Sequence, residues 1–515
     1  MATHFDAIII GAGHNGLTTA AYLAKAGQRV LVLERRDVVG GTVSTEELWP
    51  GYRIDPVQHF GRLAPDVVRD LGLKVGAHTR VPLVGLQRNG EALVLESDAA
   101  ASARAIARFS AADARRWPAF VTLMGKVAGF LNEVYAAPFP RVPKVDAAEA
   151  PALAQLGLKL RGLGKTDMVE AVRVLPMSMH ELLDEWFESD ALRGLLAARG
   201  VHGLTQGPMS AGTAFLFLHH WAVQGSLFPT SVRGGVGTLS SALAQAAEGA
   251  GVEIRHGAEV VRIRLEGDRA TGVVLANGDE ISASRVVSAL DPRRTFLGLV
   301  GPEALDPEFV WATQNIKMRG SVARINLAVD GLPAFGGVSE AGLRGALVVS
   351  PSLNDLEKAY DASKYGRLSD RPYLEVSVPT LADPDRAPAG KHILSIHLQY
   401  APFKAESADW SDRLLKLALS TLTDYAPDLA SRVEHSQVLT PHALEDCYGL
   451  TEGNLFHGEM MLDQILFMRP LSGWAQHRTP IENLFLCGPG THPGGGVSGA
   501  SGRNTARQLL KTLKA

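Results

Sequence analysis

The first apolar run of the chain, Ala7–Ile10, is short and is followed at once by glycines. Such a run is typical of a strand buried in a parallel sheet. The glycines that follow have the spacing G-x-G-x-x-G and are Gly11, Gly13 and Gly16. An Ala- and Leu-rich stretch over residues 18–26 predicts a helix, and residues 29–33 predict a second strand that ends at Glu34. The pattern therefore predicts a complete strand–helix–strand unit.

Each glycine of this motif has a physical reason. Gly11 makes the tight turn, Gly13 lets the backbone approach a pyrophosphate, and Gly16 lets the helix pack closely on the strand. The free N–H groups at the helix N-terminus favour a phosphate. Glu34 follows the motif at the end of the second strand, where a carboxylate accepts hydrogen bonds from a ribose. We therefore expect a dinucleotide cofactor at this turn.

Farther along, two long stretches lack this alternation of strand and helix, and the alternation resumes after each of them. Residues 75–228 indicate strands followed by several helices, and residues 296–478 contain strands such as 321–330 and 392–402 together with further helices. The stretch over residues 143–168 is open to two interpretations, a loop or a loosely packed helix pair. We expect an α/β fold in which a Rossmann-type domain is interleaved with an α+β substrate domain. The predicted Rossmann-type parts are residues 1–74, 229–295 and 479–515, and the predicted substrate-domain parts are residues 75–228 and 296–478.

A second glycine-rich turn lies close to the C-terminus. An apolar strand is predicted over residues 484–486, a glycine-dense loop over 488–496, and a helix from Ser498 onward. Such a loop exposes backbone N–H groups that can contact a ring carbonyl or a phosphate. Two glycine-rich turns of this kind at opposite ends of the chain indicate an extended ligand.

Composition narrows the classes of protein that remain. The chain has 515 residues, a net charge of -3 and only two cysteines, Cys447 and Cys487. A charge so close to neutral does not point to nucleic acid as a partner. Two distant cysteines exclude a disulphide framework and a cysteine-rich metal site, and we expect no bound metal. We expect a cytoplasmic protein without a cleaved targeting segment, because the first strand begins within a few residues of Met1.

One segment is unusually poor in charge. Residues 200–232 contain no Asp, Glu, Lys or Arg and include the sequence AFLFLHHWAV. The favoured interpretation is a set of buried helices that wall an apolar pocket. The alternative is a surface that dips into a membrane, which would make the protein membrane-associated through a peripheral contact.

Several longer motifs carry a resemblance to a known family. They are GAGHNGL at 11–17, VVGGTVSTEELWPGY at 38–52, LEVSVPTLADPDRAPAGKHILSIHLQY at 374–400, NLFHGEMMLDQILFMRP at 454–470 and RTPIENLFLCGPGTHPGGGVSGASGRN at 478–504. With them the chain resembles flavoproteins of the phytoene desaturase and carotenoid isomerase type. It is most similar to their branch of pyridine nucleotide-disulphide oxidoreductase domain proteins. The resemblance implies a Rossmann-type, glutathione reductase-like FAD-binding domain interleaved with the substrate domain.

The resemblance also implies which residues bind FAD. They are Gly11, Gly13, His14, Asn15, Gly16, Glu34, Arg35, Gly41, Thr42, Val260, Gly488 and Val497. The chain departs from the family at Thr42, where carotenoid desaturases usually carry an arginine that contacts a phosphate. The disulphide-oxidoreductase name of the branch finds no support, because a redox pair needs neighbouring cysteines. We expect Cys487 to pack as a small apolar side chain.

The expected function is that of an FAD-dependent dehydrogenase or desaturase. It would take a hydride onto flavin N5 from a small apolar substrate of isoprenoid or lipid-like character and pass electrons to oxygen or a quinone. The chain shows one dinucleotide motif, so we expect no tightly bound NAD(P)H. The candidate catalytic side chains are His59, His457 and His492, each with structural hydrogen bonding as the alternative role. A redox-neutral flavin isomerase, a flavin amine oxidase and a low-turnover flavin-stabilised binding protein are the alternative functions.

Overall fold

The computed structural model describes residues 4–137, 150–405 and 407–513. Its N-terminal part contains the predicted strand–helix–strand unit, followed by a two-stranded hairpin and a short helix. These elements are β1 (Ala7–Ile10), α1 (His14–Lys25), β2 (Val30–Leu33), β3 (Glu46–Trp49), β4 (Tyr52–Ile54) and α2 (Pro65–Leu71). Helix α1 begins at His14, before the predicted residue 18, because the glycine turn leads directly into the helix and Gly16 already belongs to it.

The next part of the chain consists of three short strands and then helices. They are β5 (His78–Arg80), β6 (Leu83–Leu86), β7 (Ala92–Leu95), α3 (Ala99–Ile106), α4 (Ala111–Ala136), α5 (Ala150–Gly162), α6 (Lys165–Val174), α7 (Met179–Trp186), α8 (Asp190–Val201) and α9 (Thr213–Gln224). Within the ambiguous stretch over 143–168, residues 143–149 lie outside the described residues. The rest of that stretch forms α5 and the start of α6, which agrees with the helix-pair interpretation.

The chain then returns to the first domain. The elements are β8 (Thr230–Val232), α10 (Gly237–Gly249), β9 (Glu253–Arg255), β10 (Val260–Glu266), β11 (Arg269–Leu275), β12 (Glu280–Ser282) and β13 (Val286–Ser288). Strands β10, β11 and β12 form an antiparallel three-stranded sheet. A π-helical turn, Arg294–Val300, follows β13.

The remaining elements build most of the second sheet and close the first one. They are α11 (Pro307–Gln314), β14 (Val322–Val329), α12 (Glu340–Leu343), β15 (Ala346–Val349), α13 (Leu353–Lys364), β16 (Leu374–Ser377), β17 (His392–Gln399), α14 (Trp410–Thr423), α15 (Leu429–Arg432), β18 (Val433–Leu439), α16 (Pro441–Tyr448), β19 (Leu484–Leu486) and α17 (Ala500–Thr512). Short 3-10 turns lie at Pro302–Ala304, Pro379–Leu381, Pro384–Arg386, Phe403–Ala405, Thr451–Gly453, Leu462–Gln464 and Leu466–Met468.

The first sheet is parallel and is assembled from three distant parts of the chain. Its five strands have the order β19-β13-β1-β2-β9. Both faces are covered, with α1, α10 and α17 on one side and the three-stranded sheet on the other. Burial on both faces explains why β1 and β2 are continuous apolar runs. This Rossmann-type sheet confirms the predicted α/β fold class.

The second sheet is larger and mostly antiparallel. Its seven strands have the order β18-β14-β17-β16-β15-β6-β7. One face packs against α14 in an apolar cluster that includes Ile325, Ile396 and Leu414. Near β6 and β15, the sheet meets the helical core built from α4, α8 and α9. The domain boundaries at single-residue precision stay predictions.

The uncharged segment over residues 200–232 lies in this helical core. Helix α9 is buried from Thr213 to His219, and only Met209, Ala211 and Gly225 of the segment are exposed. The apolar side chains of the segment therefore serve interior packing. Within the described residues, no helix is both long and apolar enough to cross a membrane.

Candidate functional site

A cavity of about 400 Å³ opens along the first sheet where β1 and β2 end. Its lining comes from all three chain segments that build that sheet. The predicted cofactor residues on its surface are Gly11, Gly13, His14, Asn15, Gly16, Glu34, Arg35, Gly41, Thr42, Val260 and Val497. The remaining one, Gly488, lies behind the wall, where an added methyl group would sit 2.6 Å from the carbonyl oxygen of Ala289.

The glycine turn at β1 has the shape that a pyrophosphate needs. Gly11 has a φ of +95°, which favours glycine. A methyl group added at Gly16 would lie 2.2 Å from the carbonyl oxygen of Gly11, so helix α1 approaches the strand as closely as it can. Because Gly13 faces the cavity, a methyl group added there would meet no protein atom within 4 Å. This open space beside the backbone fits a phosphate group.

The N-terminus of α1 is free to receive negative charge. No side chain caps it at Gly13, and no acidic residue lies in its first turn. The unsatisfied N–H groups and the positive end of the helix dipole therefore face the cavity. Together with the open space at Gly13, this donor set fits the pyrophosphate of FAD.

Glu34 is fixed at the end of β2 by backbone donors. The backbone N–H of Ala12 donates to Glu34 Oε2 at 2.8 Å, and the backbone N–H of Arg36 donates to Glu34 Oε1 at 2.9 Å. The carboxylate is buried yet lines the cavity. Its position suits acceptance of hydrogen bonds from ribose hydroxyls.

Two arginines on the cavity wall had no signal in the sequence pattern. Arg36 pairs with Glu46 at 2.9 Å, and its guanidinium carbon lies 4.6 Å from the ring centroid of Tyr448. Arg294 also lines the cavity, and its Nε is buried without a hydrogen-bond partner. Tyr448 and Arg294 come from distant parts of the chain, so only the tertiary structure brings them to the motif.

The terminal glycine loop forms the other end of the cavity. The ring Nε2 of His14 lies 3.2 Å from the carbonyl oxygen of Gly496, which joins the two glycine turns directly. Methyl groups added at Gly494, Gly495 and Gly496 would lie 2.6, 2.2 and 2.6 Å from Met460, Phe456 and Val223 respectively. Apolar side chains thus press on the back of the loop, and glycine is needed there to make room.

Of the three candidate catalytic histidines, His457 alone lies on this cavity wall. Its backbone has a φ of +56°, and burial lowers the pKa of its side chain to about 4. His59 follows the cavity residue Gln58, and burial together with the charge of Arg324 lowers its pKa well below the ordinary value. The Nε2 of His492 lies 3.2 Å from the carbonyl oxygen of Val134, and this residue lines a different cavity. The structure therefore does not bring the three histidines together.

The two cysteines lie in different environments. Cys447 is exposed and Cys487 is buried, and they do not form a disulphide. Burial raises the pKa of Cys487 to about 12, as expected for a thiol packed as an apolar group. Among the residues that the structure describes, no cluster of three or more His, Cys, Asp or Glu side chains is arranged to hold a metal ion.

A parallel sheet that carries a dinucleotide turn, a ribose carboxylate and a second glycine loop defines an FAD-dependent oxidoreductase. The particular family follows from sequence comparison. The chain belongs to the flavin containing amine oxidoreductase family, whose model matches residues 16–510. This membership implies FAD as the cofactor and agrees with the donor set of the cavity.

Individual relatives extend over nearly the whole chain. The chain is 34% identical to pyridine nucleotide-disulfide oxidoreductase domain-containing protein 2 of Rattus norvegicus, covering 99% of this chain and 94% of the relative. It is 28% identical to a limonene dehydrogenase polypeptide of Castellaniella defragrans, covering 99% and 95% respectively. Phytoene desaturase and hydroxyneurosporene desaturase are also among its relatives. These findings confirm the resemblance seen in the motifs.

Among solved structures, putrescine oxidase bound to putrescine is similar with a TM-score of 0.64. The alignment covers 100% of both chains at 17% identity. This likeness supports the fold of the FAD-binding and substrate domains.

Proposed function

We propose that this oxidoreductase is a dehydrogenase or desaturase that removes hydride from a largely apolar substrate. The observation that carries the proposal is the apolar wall behind the terminal glycine loop. Val223, Phe456 and Met460 press against Gly494–Gly496, and Gly496 lines the cofactor cavity. A substrate that reaches the cofactor at Gly496 would therefore meet a loop that is backed by apolar side chains.

The relatives support the same substrate class. Limonene is an apolar terpene, and the dehydrogenase named for it aligns with nearly the whole of this chain. The uncharged segment over residues 200–232 supplies much of the apolar core next to the loop. An isoprenoid or lipid-like substrate fits this environment better than a highly charged one.

Bound FAD supplies two-electron, hydride-accepting chemistry. The protein binds the cofactor through the glycine turns and Glu34, and the terminal loop, backed by the apolar core, orients the substrate. Burial lowers the pKa of His14, His219 and His457 to about 4. These side chains are therefore neutral near pH 7 and act there as hydrogen-bonding groups, while the packed core excludes water.

The electron acceptor that we propose is oxygen or a quinone. A cytoplasmic location with a peripheral membrane contact is compatible with a quinone, which resides in the bilayer. The site for such a contact is not the buried helix α9.

Anaerobic reduction of the purified, FAD-loaded protein tests the proposal. Limonene is added to one sample, putrescine to a second and NADH to a third, while loss of flavin absorption is followed. Bleaching by limonene or a related alkene supports the proposal. Bleaching by putrescine alone would establish an amine oxidase. Bleaching by NADH alone would contradict the expectation that the protein binds no nicotinamide cofactor besides FAD.

A matched pair of variants links the result to the apolar wall. Val223→Thr keeps the side-chain size but places a hydroxyl against the loop. We expect it to slow reduction by the alkene about tenfold, because an apolar substrate that packs on the hydroxyl must desolvate a polar group, which costs about 1–3 kcal/mol. Val172→Thr makes the same change at an exposed position away from the cofactor cavity and should leave the rate unchanged. Equal rates of flavin reduction in the two variants would show that these apolar side chains do not form part of the substrate site.

A further inference from the structure

One face of the second sheet is polar although it is buried. Strands β14, β16 and β17 lie side by side, with Arg324 opposite His397, His397 opposite Glu375, and Asn326 opposite Ser395. The alternate residues on this face are Arg324, Asn326, Glu375, Ser377, Ser395, His397 and Gln399, and each is at most 5% exposed. We call these seven residues the polar sheet face. A buried surface of this kind needs a partner for every charge and every polar atom.

Some residues of the polar sheet face have an ion-pair partner or hydrogen-bond partners. Glu375 pairs with Arg199 of helix α8 at 3.0 Å. The Nδ1 of His397 accepts a hydrogen bond from Arg324 Nη1 at 2.7 Å, so its Nε2 donates to Gln399 Oε1, also at 2.7 Å. The amide nitrogen of Gln399 donates to the carbonyl oxygen of Val201 at 3.0 Å, which fixes the amide orientation. His397 is therefore neutral and cannot balance a charge.

Glu375, which pairs with Arg199, compensates the charge of Arg324 only in part. Among the described residues, no carboxylate lies within ion-pair distance of its guanidinium, and Glu375 is already paired with Arg199. Burial lowers the pKa of Arg324 to about 10, which still leaves the side chain cationic at neutral pH. Its Nε is buried and has no hydrogen-bond partner. A buried cation in this state is costly unless an anion binds beside it.

Neighbouring polar atoms are also without partners. They are Asn326 Oδ1, Ser395 Oγ and His59 Nε2, and each is buried. The amide nitrogen of Asn326 donates to Pro56 and Gln437, so its oxygen is correctly assigned as the free atom. Buried polar atoms are paired in the great majority of cases, so a group of unpaired polar atoms next to a cation without an ion pair indicates a ligand.

One chain segment runs from the polar sheet face to the wall of the cofactor cavity. Asn326 Nδ2 donates a hydrogen bond to the carbonyl oxygen of Pro56 at 3.1 Å, and two residues later Gln58 lines the cavity. A methyl group added at Gly61 would lie 2.9 Å from Val497, which also lines the cavity. Residues 56–61 therefore lie between Asn326 and the terminal glycine loop.

We propose that the polar sheet face binds a carboxylate at one end of the otherwise apolar substrate. The guanidinium of Arg324 balances the charge, and its Nε, His59 Nε2 and Ser395 Oγ supply hydrogen-bond donors to the carboxylate oxygens. The proposal rests on the function proposed above and refines it: the substrate is an apolar acid whose hydrocarbon part lies toward Gly496.

Binding to the FAD-loaded protein tests this proposal without turnover. Decanoate, decan-1-ol and methyl decanoate are titrated separately, and each Kd is read from the change in the flavin absorption spectrum. We expect decanoate to bind at least tenfold more tightly than the alcohol and the ester. Equal affinities would overturn the carboxylate site, even if apolar alkenes reduce the flavin. If decanoate binds preferentially but no apolar compound reduces the flavin, the carboxylate site is supported and the proposed dehydrogenase function is contradicted.

Two variants connect the preference to Arg324. Arg324→Met removes the charge at similar length and should abolish the preference for decanoate while changing the Kd of decan-1-ol less than twofold. Arg324→Lys keeps a cation and should retain part of the preference. Equal weakening of both compounds would show that Arg324 only supports the fold. If the Met variant does not fold, the three-ligand comparison in the unaltered protein and the Lys variant still decide the question.

Small anions provide the remaining control. Chloride and phosphate are titrated against bound decanoate at constant ionic strength, with sulfonate buffers. We expect competition only at concentrations far above the Kd of decanoate, because the hydrocarbon chain contributes to its affinity. Displacement at similar concentrations would show a site for small anions and overturn the assignment to the substrate.

Discussion

The cofactor cavity and the polar sheet face meet the same problem, binding a charged group in the interior, in opposite ways. Gly13 has no side chain, so backbone N–H groups and the helix dipole are available there to favour a negative charge. At Arg324 the chain brings a formal charge inside and surrounds it with side chains from several strands. The first solution depends on backbone shape, whereas the second depends on the charge and the hydrogen bonds of side chains. Substitutions should therefore fail for different reasons in the two regions.

The largest effect is expected where a buried pair of the polar sheet face is broken. Glu375→Gln leaves Arg199 buried without a counter-charge and should lower the free energy of unfolding by about 3–5 kcal/mol. Denaturant unfolding measures the loss. The exposed pair of Arg344 with Glu340 is the control, and Glu340→Gln should cost no more than about 0.5 kcal/mol. A similar small cost for Glu375→Gln would show that the buried pair carries no strong coupling.

In the cofactor cavity, neighbouring glycines should respond differently. Gly16→Ala places a methyl group against the backbone of Gly11 and should cost about 3 kcal/mol of stability as well as FAD binding. Gly13→Ala meets no protein atom and should leave the stability of the FAD-free protein unchanged, but it should weaken FAD binding. Thermal unfolding and flavin titration of both variants separate the two effects. Equal stabilities would contradict the close approach of helix and strand.

Removal of the charge at Glu34 should weaken the cofactor site. Glu34→Gln retains the size, but its neutral oxygen is a weaker acceptor for the ribose hydroxyls, and hydrogen bonds to charged groups are worth about 1.5–3 kcal/mol. We expect a loss of about tenfold or more in FAD affinity, measured by flavin content after gel filtration and by titration of the FAD-free protein. Unchanged flavin retention would refute the role of Glu34 in holding the ribose.

The remaining effect is the pH dependence contributed by buried histidines. Burial lowers the pKa of His14, His457 and His477 to about 4 in the folded state, against 6.5 in the unfolded chain. Between pH 6.5 and 4 the unfolded chain binds more protons, so stability falls as pH falls. Each histidine contributes up to about 1.4 kcal/mol per pH unit in this window and nothing above it.

Thermal unfolding from pH 8 to pH 5 checks this prediction. The midpoint should be flat above pH 7 and fall below pH 6.5, and His477→Gln should make the fall shallower. The raised pKa values of the buried Asp55 and Glu459 act in the opposite direction, and they reduce the net slope at the acidic end. A midpoint that is constant down to pH 5 would contradict neutral buried histidines.

The two regions also differ in how well the sequence predicted them. Gly11, Gly13, Gly16 and Glu34 lie within one short stretch, because a single turn and its two flanking elements supply the predicted contacts to the pyrophosphate and to one ribose. Local patterning is enough to predict such a site. The same holds for the terminal loop, whose glycines and flanking strand are contiguous.

No local sequence motif predicted the polar sheet face. Polar residues at alternate positions of a strand ordinarily mark a face in contact with water, whereas β14 is buried on both faces. Arg324, Glu375 and Ser395 come from three separate strands, and Arg199 comes from a helix more than a hundred residues away. The distances in the folded chain show that, among the described residues, no carboxylate lies within ion-pair distance of Arg324, so charge balance in the interior could not be judged from the sequence.

The most direct test of the complete site is a crystal structure of the FAD-loaded protein grown with decanoate. We predict FAD along the cavity between Gly13 and Val497, the carboxylate of decanoate within hydrogen-bond distance of Arg324 Nε, and the alkyl chain directed toward Gly496. FAD bound elsewhere would contradict the cofactor site. Ordered water alone at Arg324, with decanoate bound at another surface, would contradict the assignment of the polar sheet face to the substrate.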